Sequence, residues 1–440
     1  MKRWFRDASF RGLLKNSGFL LSSRIVAGLL ALGALSFTTH ALGTELFGIL
    51  ILVHSYAGAM SGLVKFQSWQ LVIRFGSPAL QADDVAQLQR SISFAIGLDI
   101  TSGIVGMVAA IALLPLVGGW FRIGPEHLML AMLYCTLLPT MAAATPTGVL
   151  RLLDRFDLLS WQAAITPGVR LILAGAAWAA GGHFEVFLLI WYLTDMLGDL
   201  ALWAMAFREL SKRNLLKGLR FGLRRHARHM AGAWRFALMT NLTTSLQAAW
   251  GPMANLLVGG LLGPVGAGQY RIAATVIEAA NKPADMLSKA FYPEVMRMDF
   301  KSKRPWKLML RGAVLSGLLG IFIVLIVLVG GKPFISAAFG KAFAPAGGLL
   351  ALMVFGMLLT MIGFPLGPMS YAVDRPDGPL RARMIATFVY LILIFPFTRL
   401  CGLTGAGLAF VLSMLILNLL MLPPLLTAYR RNRPQPTHAA

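Results

Sequence analysis

The sequence is dominated by apolar runs of about 20 residues, which alternate with short polar or basic connections. A helix needs about 20 apolar residues to cross the hydrocarbon core of a bilayer. The chain is 57% hydrophobic and 13% charged, and its mean hydropathy of +0.70 excludes a soluble globular protein. The pattern therefore predicts an all-α integral membrane protein with twelve transmembrane helices. The predicted spans are 17–38, 44–64, 90–116, 127–147, 158–180, 184–207, 234–260, 268–292, 308–330, 345–366, 381–399 and 403–427.

The basic residues predict how these spans are oriented. Lys and Arg are concentrated in the two termini and in every second connection, whereas the intervening connections contribute only a few. Cytoplasmic segments of membrane proteins carry such an excess of positive charge, so both termini are expected in the cytoplasm. The same distribution accounts for the net charge of +22 without nucleic acid as a partner. The cations of the intervening connections are Arg122, Lys332, Lys341 and Arg399.

The longest connection divides the predicted spans six and six. It covers residues 208–235 and contains nine Lys and Arg, which either hold it against anionic lipid or recruit an anionic substrate. The predicted domains are an N-terminal six-helix lobe at 1–207, a basic cytoplasmic linker at 208–233 and a C-terminal six-helix lobe at 234–440.

The two predicted lobes share a short sequence echo. ALGTELFG (41–48) links the first two spans, and LLGPVGAG (261–268) links the seventh and eighth. The glycines in these segments suit tight turns between helices. Internal repeats of this kind are typical of transporters, whose substrate sites lie near the interface of the repeats.

The predicted eighth span carries charge along one face. Five charged side chains fall within an arc of roughly 60° at about 100° per residue. Each would cost at least about 2.5–3.5 kcal/mol at the bilayer centre, so the stripe faces either a watery cavity or a partner helix. In the second case, pairs four residues apart neutralise each other. The residues are Arg271, Glu278, Lys282, Asp285 and Lys289.

Other charges also lie inside predicted spans. Arg24 and Arg170 are cations, and Asp99, Asp195 and Asp199 are acids. Asp195 and Asp199 lie four residues apart on one helix face, where two carboxylates raise each other's proton affinity. With Glu278 and Asp285, these acids are candidates for binding a proton or cation that couples a gradient to transport. A structural salt bridge between Asp195 and Arg170 is the alternative.

Several segments resemble the polysaccharide-exporter, or Wzx-type, branch of the multidrug/oligosaccharidyl-lipid/polysaccharide (MOP) flippase superfamily. They are spread over the whole chain, and their order and placement are specific. The matching segments are ALGTELFGILIL (41–52), GVLRLLDRFDLLSW (148–161), LLGPVGAGQYRIA (261–273), FYPEV (291–295), FGKAFAPAG (339–347) and GLTGAGLAFVL (402–412).

This resemblance implies a MATE-like, V-shaped bundle of two six-helix lobes around a central cavity. It implies a flippase that moves an undecaprenyl-diphosphate-linked oligosaccharide across the bacterial inner membrane for assembly of lipopolysaccharide or exopolysaccharide. Membrane lipids and the polymerase and chain-length proteins of the export pathway are the other implied partners. In related lipid II flippases, cations of the first, second and eighth helices face the cavity. Arg24 and Arg271 match the first and eighth positions, whereas the second predicted span has no internal cation and two additional helices of those relatives have no counterpart here.

Such a substrate predicts roles for particular residues. The diphosphate requires fixed positive charge at low dielectric, for which arginine offers a bidentate fork. The glycan requires hydrogen-bonding and stacking groups, which the seventh span supplies, although helix–helix hydrogen bonding is the alternative there. The diphosphate candidates are Arg24, Arg170, Arg271, Lys282 and Lys289. The glycan candidates are Asn241, Thr244, Gln247 and Trp250.

The sequence also favours a transporter over an enzyme. Gly331-Lys332 is followed by Pro333 rather than Ser or Thr, so there is no Walker A motif. We expect no cofactor, no metal and no disulfide framework. A cation-coupled drug antiporter of the same superfamily is the first alternative, although the spans contain as many cations as acids. A membrane polysaccharide polymerase is the second, and the short outer connections argue against it.

Overall fold

A computed structural model describes residues 8–217, 219, 230, 232–248, 250–296, 298, 302–373 and 377–431. Side chains are described at these positions except at 8–25, 240, 243, 244, 247, 283, 285, 286, 289, 290, 293 and 431. The side chains of Arg24, Thr244, Gln247, Asp285 and Lys289 therefore lie outside the described part, as does most of the basic linker. The described residues form helices joined by turns and contain no strand.

The chain divides into two compact units, which meet in sequence between Leu256 and Leu257. The helices of unit 1 are α1 (Ala8–Val64), α2 (Ser68–Gln81), α3 (Val85–Val117), α4 (Pro125–Cys135), α5 (Leu138–Met141), α6 (Thr145–Leu152), α7 (Phe156–Ala179), α8 (Phe184–Lys212) and α9 (Ala233–Ala248). The division falls within α10 (Pro252–Ala280). Unit 2 continues with α11 (Lys282–Met296), α12 (Arg304–Phe339), α13 (Pro345–Gly363), α14 (Leu366–Ala372), α15 (Asp377–Cys401) and α16 (Leu403–Arg431).

Most predicted apolar runs lie in helices, but the seventh is divided between α9 and α10 and the eighth between α10 and α11. Within the described residues, seven helices are long and apolar enough to cross a membrane, and an eighth is the bent pair Pro125–Cys135 and Leu138–Leu152, with a bend of 46°. One of the seven, Val26–Gln81, includes part of the first predicted span, all of the second, and α2. The all-helical membrane fold is confirmed, whereas the number of twelve crossings and the cytoplasmic termini remain predictions.

Two glycines interrupt the helices at the positions of the sequence echo. Gly43 breaks α1 with φ 66° and ψ −170°, and Gly263 breaks α10 with φ 79° and ψ −177°. Side chains disfavour this positive φ region because Cβ crowds the backbone, so glycine is suited to both positions. The expected turns are therefore present, and their backbone conformations are nearly identical.

The seventh predicted span begins in unit 1. Its first part, α9, packs against α1, and a Cβ placed on Gly62 would lie 2.4 Å from the Cβ of Ala248. The absence of a side chain at Gly62 therefore permits the close approach of α1 and α9. The division into lobes at 207 and 234 remains a prediction. In that division, α9 belongs to the C-terminal lobe.

Helix α2 crosses α6 in a buried apolar cluster of unit 1. Leu71 and Val72 of α2 are buried there with Val149 and Leu150 of α6. A Cβ on Gly148 would lie 2.7 Å from the Cα of Trp69, so the two backbones are in close contact. The apolar face of the segment 66–76 therefore packs on protein.

Unit 2 has its own buried contacts. Tyr270 of α10 and Tyr390 of α15 are both buried, and their hydroxyl oxygens lie 2.8 Å apart. Phe291 of α11 packs edge-on against Phe364, with ring centroids 5.6 Å apart. The hydroxyl pair satisfies two polar groups that would otherwise be costly in an apolar interior.

Candidate functional site

An ion pair links α7 and α8 inside unit 1. The Nη2 of Arg170 lies 2.5 Å from the Oδ1 of Asp195. The side chains are 14% and 17% exposed, so the charges are largely, but not fully, removed from the surface. The structure therefore contains the salt bridge that the sequence left open as an alternative for Asp195.

The Arg170 guanidinium is held by further contacts along α8. Its Nε donates to the Thr194 hydroxyl at 2.9 Å, and its Cζ lies 4.4 Å from the centre of the Trp191 ring. Thr194 itself donates to the Ile190 carbonyl at 2.7 Å. Stacking and hydrogen bonding together fix the planar guanidinium, a geometry that lysine would not reproduce.

A chain of hydrogen bonds extends from the other carboxylate oxygen of Asp195. The Tyr134 hydroxyl donates to Oδ2 at 2.9 Å, and it lies 3.0 Å from the Nδ1 of His54. His54 also packs edge-on against Trp191 at 5.1 Å. Because the Tyr134 proton is directed to Asp195, its oxygen accepts from Nδ1 of His54. Helices α1, α4, α7 and α8 thus contribute to one polar cluster, whose His54 side chain is 23% exposed.

A second acid lies one turn further along α8. Asp199 interacts electrostatically with Lys65. The Lys65 ammonium donates to the Met141 carbonyl at 2.8 Å, at the C-terminal end of α5. Cations are favourable at this end of a helix. Of Asp195 and Asp199, which were predicted as a carboxylate pair, Asp195 forms an ion pair with a cation, and Asp199 interacts with one only through electrostatics.

A third acid, Asp99, joins two helix starts. It is fully buried, and its Oδ2 accepts from the backbone N–H groups of Ala144 and Thr145, both at 2.8 Å. Its Oδ1 accepts a short hydrogen bond from the Ser68 hydroxyl. The carboxylate thus caps α6 and binds the first residue of α2, satisfying donors that a helix N-terminus leaves free. These contacts favour a structural role for Asp99 over the ion-coupling role that the sequence predicted.

The end of α1 is held from the seventh predicted span. The Asn241 amide donates to the carbonyl oxygens of Leu63 and Lys65, both at 3.1 Å. The Ser245 hydroxyl adds a longer contact to the Leu63 carbonyl at 3.4 Å. These are the helix–helix contacts that stood as the alternative to glycan binding. Trp250 lies in the turn between α9 and α10.

The charged stripe of unit 2 is not on one continuous helix. Helix α10 ends at Ala280 and α11 begins at Lys282, because Pro283 has no N–H to continue the helical ladder. Arg271 and Glu278 therefore lie on α10, and Lys282 begins α11. The Nζ of Lys282 lies 3.6 Å from the Oε1 of Glu278, so one of the two predicted neutralising pairs is present.

Several polar residues of these clusters were missed in the sequence. His54 and Tyr134 lie in apolar spans, and Lys65 and Ser68 lie at the end of one. Their position in apolar runs was the signal that could have identified them, because a polar side chain in a membrane span requires a partner inside the protein. Among the His, Cys, Asp and Glu residues that the structure describes, no group of three is placed to hold a metal ion.

The relatives of this chain are membrane proteins. No protein-family model matches the sequence. The chain is 42% identical over 346 residues to the inner membrane protein YghQ of Escherichia coli strain K12, an alignment that covers 79% of this chain and 98% of YghQ. This chain belongs to the YghQ family. It is a multi-pass protein of the bacterial inner membrane.

Solved structures with the same fold are transporters of the MOP superfamily. The lipid II flippase MurJ in an inward closed conformation has a TM-score of 0.68 at 12% identity, over 95% of this chain and 90% of MurJ. A multidrug resistance MATE family transporter in an inward-facing conformation has a TM-score of 0.66 at 14% identity, over 94% of this chain and 98% of that one. This chain therefore has the fold of the MOP superfamily, which a lipid II flippase and multidrug transporters share.

Proposed function

We propose that this YghQ-family protein is a flippase for a polyprenyl-diphosphate-linked oligosaccharide. It moves a repeat unit of surface polysaccharide from the cytoplasmic to the outer leaflet of the inner membrane, by alternating access with a cationic cavity. In this proposal all twelve predicted spans cross the membrane, and both termini are cytoplasmic. Its other partners are membrane lipids and the polymerase and chain-length proteins of the export pathway.

The observation that carries the proposal is the engagement of the acids in unit 1. Asp195 forms an ion pair with Arg170, and Asp99 accepts hydrogen bonds from three donors. Asp199 interacts electrostatically with Lys65. A site for cationic drugs needs carboxylates that the protein leaves available, since a buried cation is stabilised only when paired. Asp99 and Asp195 already have hydrogen-bonding partners in the protein, which supports an anionic, lipid-linked substrate over a cationic drug.

An apolar cleft in unit 1 suits the lipid part of such a substrate. It has a volume of about 350 Å³ and lies beside the C-terminal end of α1, between α3 and α9. Its walls include Leu63, Val105 and Trp234, and Asn241 lies at its edge. Each methylene of an isoprenoid tail gains about 0.8 kcal/mol when it leaves water, so an apolar cleft of this kind can hold part of such a tail.

Arg170 is left out of the diphosphate site because Asp195, the Thr194 hydroxyl and the Trp191 ring together hold its guanidinium. Arg24, Arg271, Lys282 and Lys289 are the proposed diphosphate ligands. In this assignment Glu278 and Asp285 balance the lysines, and Thr244, Gln247, Asn241 and Trp250 contact the glycan.

The assignment is tested by the double variant Arg24→Ala/Arg271→Ala, expressed in a strain that lacks the wild-type gene. We expect surface polysaccharide to fall strongly, because the diphosphate loses two bidentate partners, while immunoblots show wild-type protein levels. The matched control is Arg122→Ala/Lys341→Ala, which removes two cations from predicted outer connections and should export normally. Normal export by the Arg24/Arg271 variant at wild-type protein level contradicts the assignment.

A cation-coupled drug antiporter is the second candidate, favoured by one feature. The His54–Tyr134–Asp195 chain could relay a proton. If so, Tyr134→Phe should abolish proton-driven efflux of cationic dyes from inverted vesicles while polysaccharide export persists. The flippase proposal predicts no such efflux in the wild-type protein.

A further inference from the structure

A separate pocket lies in unit 1 at the end of the helices opposite the Asp99 cluster. It has a volume of about 690 Å³, within the roughly 300–1,000 Å³ typical of small-molecule sites. Three connections form it: the Gly43 turn of α1, the start of α4 and the turn between α7 and α8. The main lining side chains are His40, His127, Trp178, His183, Phe184 and Glu185. Neither the proposed diphosphate path nor the Asp195 cluster includes any of them.

One wall of the pocket is aromatic. Trp178, at the end of α7, is 48% exposed, although large aromatic side chains usually gain from burial. The Phe37 ring lies 5.4 Å from it and is tilted by 35°, which supports the indole from the protein side. After Trp178 the chain turns at Gly181, whose φ of 68° suits glycine. An exposed, supported indole at a pocket wall is a platform for the C–H face of a pyranose ring.

The other walls carry hydrogen-bonding groups of both kinds. The Nδ1 of His40 lies 2.8 Å from the Ser36 carbonyl, which can only accept, so Nδ1 carries a proton and Nε2 of the neutral ring is an acceptor. His127 packs on Phe184 with centroids 4.8 Å apart. His183 and Glu185 are exposed. Imidazole and carboxylate groups thus offer acceptors and donors to hydroxyl groups, each of which both donates and accepts.

The charged residues around the pocket indicate which class of ligand it can bind. Glu185 lines the pocket, and Glu126 lies 3.7 Å from the Nε2 of His127. An anionic ligand would therefore be repelled by these carboxylates. The neighbouring connection 118–124 contains a single cation, Arg122. Because cytoplasmic connections are richer in positive charge, this end of unit 1 is predicted to face outward. An aromatic wall, mixed hydrogen-bonding groups and local carboxylates fit an uncharged sugar better than a phosphate or an acyl chain.

We propose that this pocket binds a neutral or N-acetylated sugar and serves as an outer subsite for the exported glycan. The assignment to the exported glycan rests on the proposed flippase function, whereas sugar binding itself does not. A glycan arriving at the outer end would be held by Trp178 stacking and histidine hydrogen bonds after the diphosphate has crossed.

Binding is measured on the full-length protein in a detergent without sugar headgroups. The probes are N-acetylglucosamine, its β1,4-linked disaccharide, glucose and glucuronate, followed by saturation-transfer NMR and tryptophan fluorescence. We expect the neutral sugars to bind more tightly than glucuronate. Trp178→Ala should weaken binding by about ten-fold, the upper range for one aromatic contact, and Trp178→Phe should restore part of it.

The matched control is Trp120→Ala, which removes an indole that is 47% exposed and does not line the pocket. Its sugar affinity should equal that of the wild type. His183→Ala supplies an independent test at an exposed position, with an expected loss of about five-fold. Absence of sugar binding, or wild-type affinity in both Trp178→Ala and His183→Ala, overturns the pocket assignment.

Export measurements separate this inference from the proposed function. If Trp178→Ala binds sugar weakly and slows export, the subsite stands. If it binds sugar weakly but exports at the wild-type rate, the pocket serves a free sugar and its assignment to the exported glycan is overturned. If sugar binds but depletion of the protein leaves lipid-linked glycan evenly distributed across the leaflets, the flippase function fails while the sugar pocket stands.

Discussion

Asp99 and Asp195 are carboxylates inside apolar helices of the same unit, and the protein stabilises them by different means. Asp99 is fully buried and surrounded by neutral donors, a hydroxyl and two backbone N–H groups. Asp195 is 17% exposed and binds a guanidinium and a phenol. The first arrangement fixes two helix starts, whereas the second keeps an ion pair and a histidine partly accessible. The two carboxylates are therefore stabilised in different ways, Asp99 by neutral donors and Asp195 by a cation and a phenol.

The largest effect is expected at Asp99. Asp99→Ala leaves the Ser68 hydroxyl and two helix N–H groups without an acceptor, at about 1–3 kcal/mol for each buried donor. Because membrane and soluble domains alike have limited stability reserves, most of the variant should be lost as folded protein. Size-exclusion chromatography and thermal unfolding in detergent measure this. Ser102→Ala, one turn along α3, removes only a contact to the Asp99 carbonyl and should resemble the wild type; equal stability of Asp99→Ala would contradict the structural role.

The Arg170–Asp195 pair should show a smaller loss that a second substitution reverses. Asp195→Ala leaves the guanidinium without its anion, which costs about 3–5 kcal/mol. Arg170→Met/Asp195→Leu removes both charges and should recover most of the thermal stability. We expect the stable double variant to export polysaccharide, because the proposed function gives the pair no contact with the substrate. Loss of export by the stable double variant would contradict this structural role.

A change at Tyr134 tests the hydrogen bond between Asp195 and its neutral partner. Tyr134→Phe removes the hydroxyl that joins Asp195 to His54 while Arg170 remains in place. A hydrogen bond to a charged group contributes about 1.5–3 kcal/mol, so the melting temperature should fall by a few degrees and export should fall in part. Tyr192→Phe is the control, since its hydroxyl pairs with the exposed Thr136. Identical melting temperatures for Tyr134→Phe and the wild type would contradict the hydrogen-bond chain.

The smallest effect is expected outside the membrane, at Asp157. Arg155 donates to both its carboxylate oxygens, at 2.9 and 2.7 Å, and this hydrogen bonding lowers the pKa of Asp157 below its usual value. The contribution to stability is present above the unfolded pKa of about 3.9 and is lost as the pH falls through the folded value. Because the Asp157 side chain is 50% exposed, the effect is only about 0–1 kcal/mol.

Thermal unfolding between pH 6 and about pH 3 measures this contribution. Arg155→Ala should lessen the acid-induced loss of stability, whereas Arg213→Ala should not, because Arg213 donates to the Leu153 carbonyl rather than to a carboxylate. An unchanged pH dependence in Arg155→Ala would show that the pair contributes nothing measurable.

The sequence predicted what depends on local composition. Apolar runs located the helices, and the repeated glycines located the breaks at Gly43 and Gly263, because both features are properties of contiguous residues. Pro283 in the charged stripe indicates a kink in the predicted eighth span, and the structure has a break there, between Ala280 and Lys282. The stripe was interpreted as one helix because its spacing matches a helical period.

Contacts across the fold could not be predicted in the same way. The partners of Asp99 include backbone groups of Ala144 and Thr145, and any backbone N–H in the chain looks equivalent in sequence. The Arg170–Asp195 pair was one of two open interpretations, because charge complementarity does not fix distance. The outer pocket combines residues from three connections, none of which carries a motif by itself.

The most direct test of the flippase proposal is the position of the lipid-linked oligosaccharide when the protein is depleted. Inner-membrane vesicles of known orientation are treated with a glycan label that does not cross the membrane. The proposal predicts that complete repeat units accumulate in the cytoplasmic leaflet and return to the outer leaflet when the wild-type protein is restored. Accumulation of single units in the outer leaflet would place the protein after the flipping step, and accumulation in neither leaflet would exclude the lipid-linked glycan as its substrate.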